Sequence, residues 1–204
     1  MLLLVSGATA TMRRQASDRL GALVVPGQGN APNSVRGRPF AFDNGAFSGF
    51  DADAFLRMLD RYTAAGVTNC LFVTVPDVVA DAPATLALFR EWAPRLRPYR
   101  FPLALVAQDG LEQLPVPWDD FDALFIGGST AWKLSHAAAT LAGYAKARGK
   151  WVHVGRVNSR KRMRHAHRIG ADSVDGTKFT KFPDQYLPRG VAWMDQVIRQ
   201  RPLF

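Results

Sequence analysis

Eight short apolar runs recur along the chain, with room for a helix between most of them. They occupy residues 2–6, 22–25, 40–42, 70–75, 103–107, 123–126, 151–154 and 173–174. Most are apolar without interruption rather than alternating, the pattern of strands covered on both faces. Between them lie amphipathic segments. Phe55, Met58, Leu59 and Tyr62 keep one face at helical spacing. Asp81 is placed to cap a helix with Pro83 in its first turn. Leu134, Ala137, Ala138, Leu141 and Ala145 form a stripe that Gly149 stops, and Ser159 opens a further helix that Gly170 ends. Strand and helix in alternation predict a parallel sheet. Eight strands predict a small (β/α)8 barrel, with an open doubly wound sheet as the alternative. Two features strain the barrel reading. Segment 27–38 carries no helical pattern, and 204 residues is near the lower limit for that fold.

Length and composition narrow the rest. The chain is expected to form one domain over residues 1–204, with 48% hydrophobic and 21% charged residues and no low-complexity tract. Residues 1–5 are apolar but too short for a membrane span and lack a basic leader, so they read as the first buried strand. The single cysteine, Cys70, allows neither an internal disulfide framework nor a cysteine-rich zinc cage, and the expected compartment is the reducing cytoplasm. A net charge of +9 favours a polyanionic partner, although solubility or an arginine-rich genome gives the same total.

Parallel topology puts ligand chemistry at the carboxyl ends of strands. In order, those ends read Asp43-Asn44-Gly45, Pro76-Asp77, Gln108-Asp109-Gly110, Gly127-Gly128-Ser129-Thr130, Gly155-Arg156 and Asp175-Gly176-Thr177. Taken singly, each has an ordinary explanation: Asp-Asn-Gly and Asp-Gly form turns, and Gly-Gly permits a tight strand-to-helix connection. Their convergence on one rim is what points to a site.

These segments, in this order, resemble the tRNA-guanine transglycosylases, a (β/α)8 family that exchanges guanine for a 7-deazaguanine. Asp43-Asn44-Gly45-Ala46-Phe47 is similar to the family's Asp-Ser-Gly-Gly-Phe, and Pro76-Asp77-Val78 to its Phe-Asp-Glu. Ala107-Gln108-Asp109-Gly110 resembles its Val-Gln-Gly-Gly, and Gly127-Gly128-Ser129 its Gly-Gly-Leu. Asp172-Ser173-Val174-Asp175-Gly176 resembles the nucleophile segment Asp-Met-Phe-Asp-Cys. The likeness spans roughly residues 39–178. The family's zinc site needs three cysteines and a histidine, which this chain lacks. Its length and missing zinc subdomain resemble the compact phage and bacterial branch, the deoxypurine-in-DNA protein A group, associated with DNA rather than tRNA.

The resemblance implies Asp175 as the nucleophile at the sugar C1′. Asp43 is expected to handle protons on the leaving and incoming base, with its pKa raised by apolar surroundings or a second carboxylate. Asp77 and Gln108 are expected to read a guanine-like edge, and the backbone N–H groups at Gly127, Gly128 and Ser129 to reach a base oxygen. Phe47 either stacks on the base or belongs to the core. The implied partners are DNA, with RNA less favoured, and a free 7-deazaguanine of the preQ0 type. No cofactor is expected.

A basic stretch at residues 146–168 holds nine Lys or Arg and no acid. On its helix Arg160, Lys161, Arg164 and Arg168 share a side opposite Met163, Ala166 and Ile169, suiting either phosphate contacts or plain solvation. Arg156, Lys178 and Lys181 are candidates for the phosphates flanking a nucleotide drawn out of the stack. His165 and His167 lie two apart, so they diverge on a helix, and with His153 they predict no metal site. Gly27-Gln28-Gly29-Asn30 lacks the Lys-Ser/Thr ending of a P-loop and reads as a loop over the site. The rival functions are a DNA glycosylase on the same aspartates, a non-catalytic nucleic-acid-binding barrel, and a small-molecule phosphate-binding barrel using Gly127 to Thr130.

Overall fold

The apolar runs become strands because each is buried from both sides, by helices outside and by other strands' side chains inside. The computed structural model describes residues 1–7, 10–15, 17–28 and 31–199, with the backbone alone at residues 10 and 13. Its strands are β1 (Leu2–Ser6), β2 (Leu20–Val24), β3 (Phe40–Phe42), β4 (Cys70–Thr74), β5 (Leu103–Ala107), β6 (Ala123–Ile126), β7 (Trp151–Val154) and β8 (Ser173–Asp175). All pairings are parallel and follow chain order, and β1 pairs with β8 to close the barrel. Closure rules out the open doubly wound alternative, which needs two free edges.

The helices are α1 (Ala10–Arg14), α2 (Ala52–Ala64), α3 (Ala82–Leu96), α4 (Thr130–Lys133), α5 (His136–Ala147), α6 (Arg160–Arg168), α7 (Thr177–Lys181) and α8 (Pro183–Arg199). Side-chain caps fix where four of them start. Asp51 accepts from the Ala54 N–H for α2, Asp81 from Ala84 for α3, Ser135 from Ala138 for α5, and Ser159 from Arg162 for α6. The α2 stripe Phe55, Met58, Leu59 and Tyr62 is buried against the outer wall of the barrel. Between β2 and β3 the described chain makes one 3-10 turn, Pro32–Val35, consistent with the missing helical pattern there. Gly29 and Asn30, half of the loop predicted to cover the site, lie outside the described residues.

Two expectations need correction. Leu134 is exposed, because it ends the short α4 rather than joining the α5 stripe, which runs through Ala138, Leu141, Ala142 and Ala145. The second strand begins at Leu20, two residues earlier than predicted. Gly21 conceals that start, since glycine reads as a break. Here a Cβ would stand 2.6 Å from Leu4 Cδ2 and 2.8 Å from the Pro39 carbonyl oxygen, so only glycine fits the closely packed wall.

Inside the barrel, Leu4, Leu23, Ala41, Phe72, Ala104, Val106, Ala123 and Phe125 form a separate packed layer. The small alanines leave room for the rings of Phe72 and Phe125, which meet edge to face at 6.2 Å. His153 also lies inside, fully buried, with its ring 4.5 Å from Phe125 and 5.2 Å from Phe72. This layer closes the barrel beneath the carboxyl ends of the strands, so any ligand there rests on its upper surface. Among the described residues, no helix is long and apolar enough to cross a membrane.

Candidate functional site

The strand ends meet around a cavity of about 90 Å³. Of the sequence candidates, Asp43, Asp77, Gln108, Gly127, Gly128, Phe47, Arg156 and Asp175 all line it. A wider groove of about 470 Å³ adjoins it on the β1–β2–β8 side and shares Asp43, Phe47, Arg156 and Asp175 with it. Those four residues therefore stand where the two spaces join.

Asp43 follows β3 directly. One carboxylate oxygen accepts the Gly45 N–H at 2.7 Å. Burial lifts its pKa to about 6; the Gly45 N–H works against that rise, and the Asp175 and Asp77 carboxylates add to it. Asp77 lies beyond β4 and is held on both oxygens, by Asn44 Nδ2 at 2.7 Å and by Gln108 Nε2 at 2.6 Å. Burial raises its pKa too, while these two amides oppose the rise. Asn44 is itself buried and pinned: its N–H donates to Thr74 Oγ1, its Nδ2 also to the Val75 carbonyl, and its Oδ1 accepts from Ala46.

Asp175 ends β8. Oδ2 meets His153 Nε2 at 3.0 Å and Oδ1 accepts the Arg156 N–H at 3.0 Å, fixing the plane of the carboxylate. Behind it runs a buried chain. Trp151 Nε1, which can only donate, gives to Ser173 Oγ at 2.8 Å, and Ser173 Oγ lies 2.8 Å from His153 Nδ1. With the Ser173 hydrogen on that contact, Nδ1 accepts and Nε2–H donates to Asp175. Sequence reasoning weighed His153 only as a metal ligand. Its true partner is the aspartate on the neighbouring strand: the β7–β8 register sets His153 level with Ser173, and Asp175 lies two residues further on, on the same face of β8.

Several expected base-reading groups are already engaged. Gln108 is buried, and its Oε1 accepts from Ala80 at 2.9 Å and from Gly128 at 2.7 Å. With its Nε2 on Asp77, it braces the site rather than facing a base edge. The Gly127 N–H is spent on the Ala107 carbonyl and the Gly128 N–H on Gln108. Ser129 gives both its N–H and its hydroxyl to Asp109 at 2.6 Å, and it does not line the cavity. The donation to a base oxygen expected from these N–H groups is therefore corrected. Gly128 is needed for a steric reason: φ is +68°, and a Cβ would stand 2.4 Å from Asp109 Oδ1.

Phe47 is 70% exposed, so the core alternative falls. The Arg156 guanidinium lies 4.7 Å from its ring centroid and donates to the Gly128 carbonyl at 2.5 Å, tying the β3, β6 and β7 loops across the mouth. Arg156 does this from a left-handed backbone with φ +59°, unusual for a non-glycine residue.

Lys133 escaped the sequence reading. It sits at the end of α4, looks like any helix-surface lysine, and yet is 5% exposed and lines the cavity. Its Nζ is the buried side-chain nitrogen or oxygen without a hydrogen-bond partner among the described residues. Burial pushes its pKa down to about 8, and Arg156 pushes the same way.

The basic residues divide. Lys181 lines the adjoining groove with Ser6, Thr177 and Thr180. Lys178 is exposed outside both spaces, with its Nζ 5.2 Å from the Tyr186 ring centroid. Arg160, Lys161, Arg164 and Arg168 are all exposed on α6. That helix follows β7, so it starts at the rim and runs away from it. Arg168 therefore lies about 12 Å farther from the mouth than Arg160, so the basic face is nearest the rim at its start and leaves it toward Arg168. Among the described residues, no group of three or more His, Cys, Asp or Glu is placed to hold a metal ion.

No protein-family model matches the chain, and no curated protein does. Among solved structures, the chain is similar to the Bacillus subtilis YkuI protein, with an EAL domain, in complex with substrate c-di-GMP and calcium. Identity is 19% and the TM-score 0.45; the match covers 93% of this chain and 45% of that one, so this chain spans less than half of the matched protein.

Proposed function

We propose that the chain is a nucleic-acid base-exchange enzyme that replaces guanine in DNA with a 7-deazaguanine, in the manner of the family its strand-end motifs resemble. The observation that carries this reading is the meeting of Asp43, Asp77 and Asp175, from three different strands, on one cavity beside a groove containing Lys181. The target base would occupy the cavity, and the sugar and flanking phosphates the groove, which leaves Asp175 at the junction where C1′ would lie.

Chemistry follows from the separate environments of the two junction aspartates. Asp175, its plane fixed by His153 and Arg156, attacks C1′. An Asp175–C1′ bond forms, and the C1′–N9 bond breaks with its electron pair leaving on the base. Asp43, with a pKa of about 6, can hold a proton near neutrality and give it to that base. The incoming base then returns a proton to Asp43 as its nitrogen attacks C1′ and expels Asp175. Two displacements retain the configuration at the sugar. Asp77, steadied by Asn44 and Gln108, accepts from N–H groups on the base edge.

The test is incubation of DNA with isotope-labelled 7-deazaguanine, followed by nucleoside mass spectrometry. Incorporation by the wild-type protein, lost in Asp175→Asn with DNA binding retained, is the expected result. Abasic sites without incorporation would make the protein a glycosylase. Activity that survives in Asp175→Asn would remove the nucleophile assignment.

A further inference from the structure

Lys133 is anomalous for a lysine. Its main chain is clamped at both ends, by the N–H to Ser129 O at 3.0 Å and by His165 Nε2 on its carbonyl at 3.1 Å. α4 is thereby fixed, and the side chain is carried into the cavity from the β6–β7 side. The facing charges are mixed: Arg156 and Arg162 disfavour its protonation, whereas Asp175 and Asp109 favour it, and none of them accepts a hydrogen bond from Nζ. A buried ammonium with no partner costs free energy, and a fold gains nothing by keeping it. The carboxylates of Asp43 and Asp77 reach the same cavity from the β3–β4 side. A molecule filling the space thus meets acceptors along one wall and one unspent donor on another.

We infer that Lys133 is a ligand-binding residue whose Nζ donates to an oxygen acceptor of the molecule in the cavity. Under the base-exchange reading, on which the identity of that molecule rests, the acceptor is the carbonyl oxygen at position 6 of guanine or of the incoming 7-deazaguanine. Asp77 then takes the N–H groups of the same ring edge. This supplies the oxygen contact that Gly127, Gly128 and Ser129 cannot make with N–H groups already engaged. It also makes Lys133 a specificity residue: a ring with a poor acceptor at that position leaves the ammonium unpaired.

The test compares wild type with Lys133→Met, a chain of similar length without the donor. Calorimetric titration uses guanine and 6-thioguanine, which keeps the N–H edge and replaces the oxygen with a weaker acceptor. Wild type is expected to prefer guanine; Lys133→Met is expected to bind guanine at least tenfold more weakly and to lose that preference. Without ligand, the variant is expected to melt no lower than wild type, and by about 3 °C higher if the buried ammonium is the main cost. A lower melting temperature with unchanged guanine affinity would make Lys133 structural and overturn the inference. If wild type binds neither guanine nor 7-deazaguanine, the base-exchange reading fails by itself. Inorganic phosphate, titrated against the same two proteins, then decides: Lys133-dependent phosphate binding retains an oxygen-acceptor site, and its absence overturns that too.

Discussion

At the scale of single residues, the site works by consuming some hydrogen-bonding groups so that others stay fixed and free. Gln108 spends its amide on Asp77, Ala80 and Gly128. Asn44 does the same from the other side of Asp77. Asp43, by contrast, has a raised pKa of about 6, which gives its ionisation a stability cost. A carboxyl whose folded pKa lies above its unfolded value contributes stability at low pH, and that contribution is lost as pH rises through the folded pKa. Asp43→Asn, which keeps an oxygen for the Gly45 N–H, should therefore be more stable than wild type by about 2 kcal/mol at pH 7.5, with the gain fading as pH falls from about 6 and gone by about pH 4. Urea unfolding at both pH values measures it. The same variant should lose base exchange, since an amide cannot shuttle the proton.

At the scale of elements, α6 shows how helix direction sorts a basic face that looks uniform in sequence. Its apolar side, Met163 and Ala166, is buried, and its cations point outward. Its start stands nearer the mouth than its end. On the base-exchange reading, replacing Arg160 and Lys161 together with alanine should lower the salt dependence of DNA binding by up to two phosphate contacts' worth, about 0.9 in slope for each. Arg168→Ala, at the far end, should leave affinity and slope as they were. Equal effects from both variants would mean that DNA runs along the whole helix. The α6 face was legible as a stripe, and its Ser159 and Gly170 limits were read correctly. The direction of the helix relative to the rim became certain only with the closed barrel.

At the scale of the whole molecule, eight short strands close because the interior is filled with few large rings and many small residues. Gly21 is one place where that fit is tight, against Leu4 and the Pro39 carbonyl. Gly21→Ala should destabilise the protein by about 1–3 kcal/mol through overpacking. Gly143→Ala, on the outside of α5 with nothing near its added Cβ, should stabilise it by about 0.5–1 kcal/mol. Denaturant melts of the two variants report the contrast directly. The barrel itself was readable because uninterrupted apolar runs alternating with capped amphipathic helices admit few other solutions. Placement of Asp43, Asp77 and Asp175 on one rim then followed from parallel topology alone.

What the chain's order of residues determined was therefore the architecture and the end of the barrel where polar groups collect. Periodicity, caps and turn residues are local, and they act within a few positions of one another. What only the tertiary structure decided was which of those polar groups remain unspent. A strand buried on both faces carries no alternation, so nothing in Trp-Val-His-Val tells that His153 points inward to Asp175. Nor does a lysine on a four-residue helix declare that it will be buried at a cavity with no hydrogen-bond partner among the described residues. The partners of Gln108 lie between 20 and 31 residues away in the chain, and those of Asp77 between 31 and 33. Hydrogen-bond satisfaction depends on groups brought together from such distances by closure, and that is why the chemistry of the mouth could be located from the sequence but not apportioned.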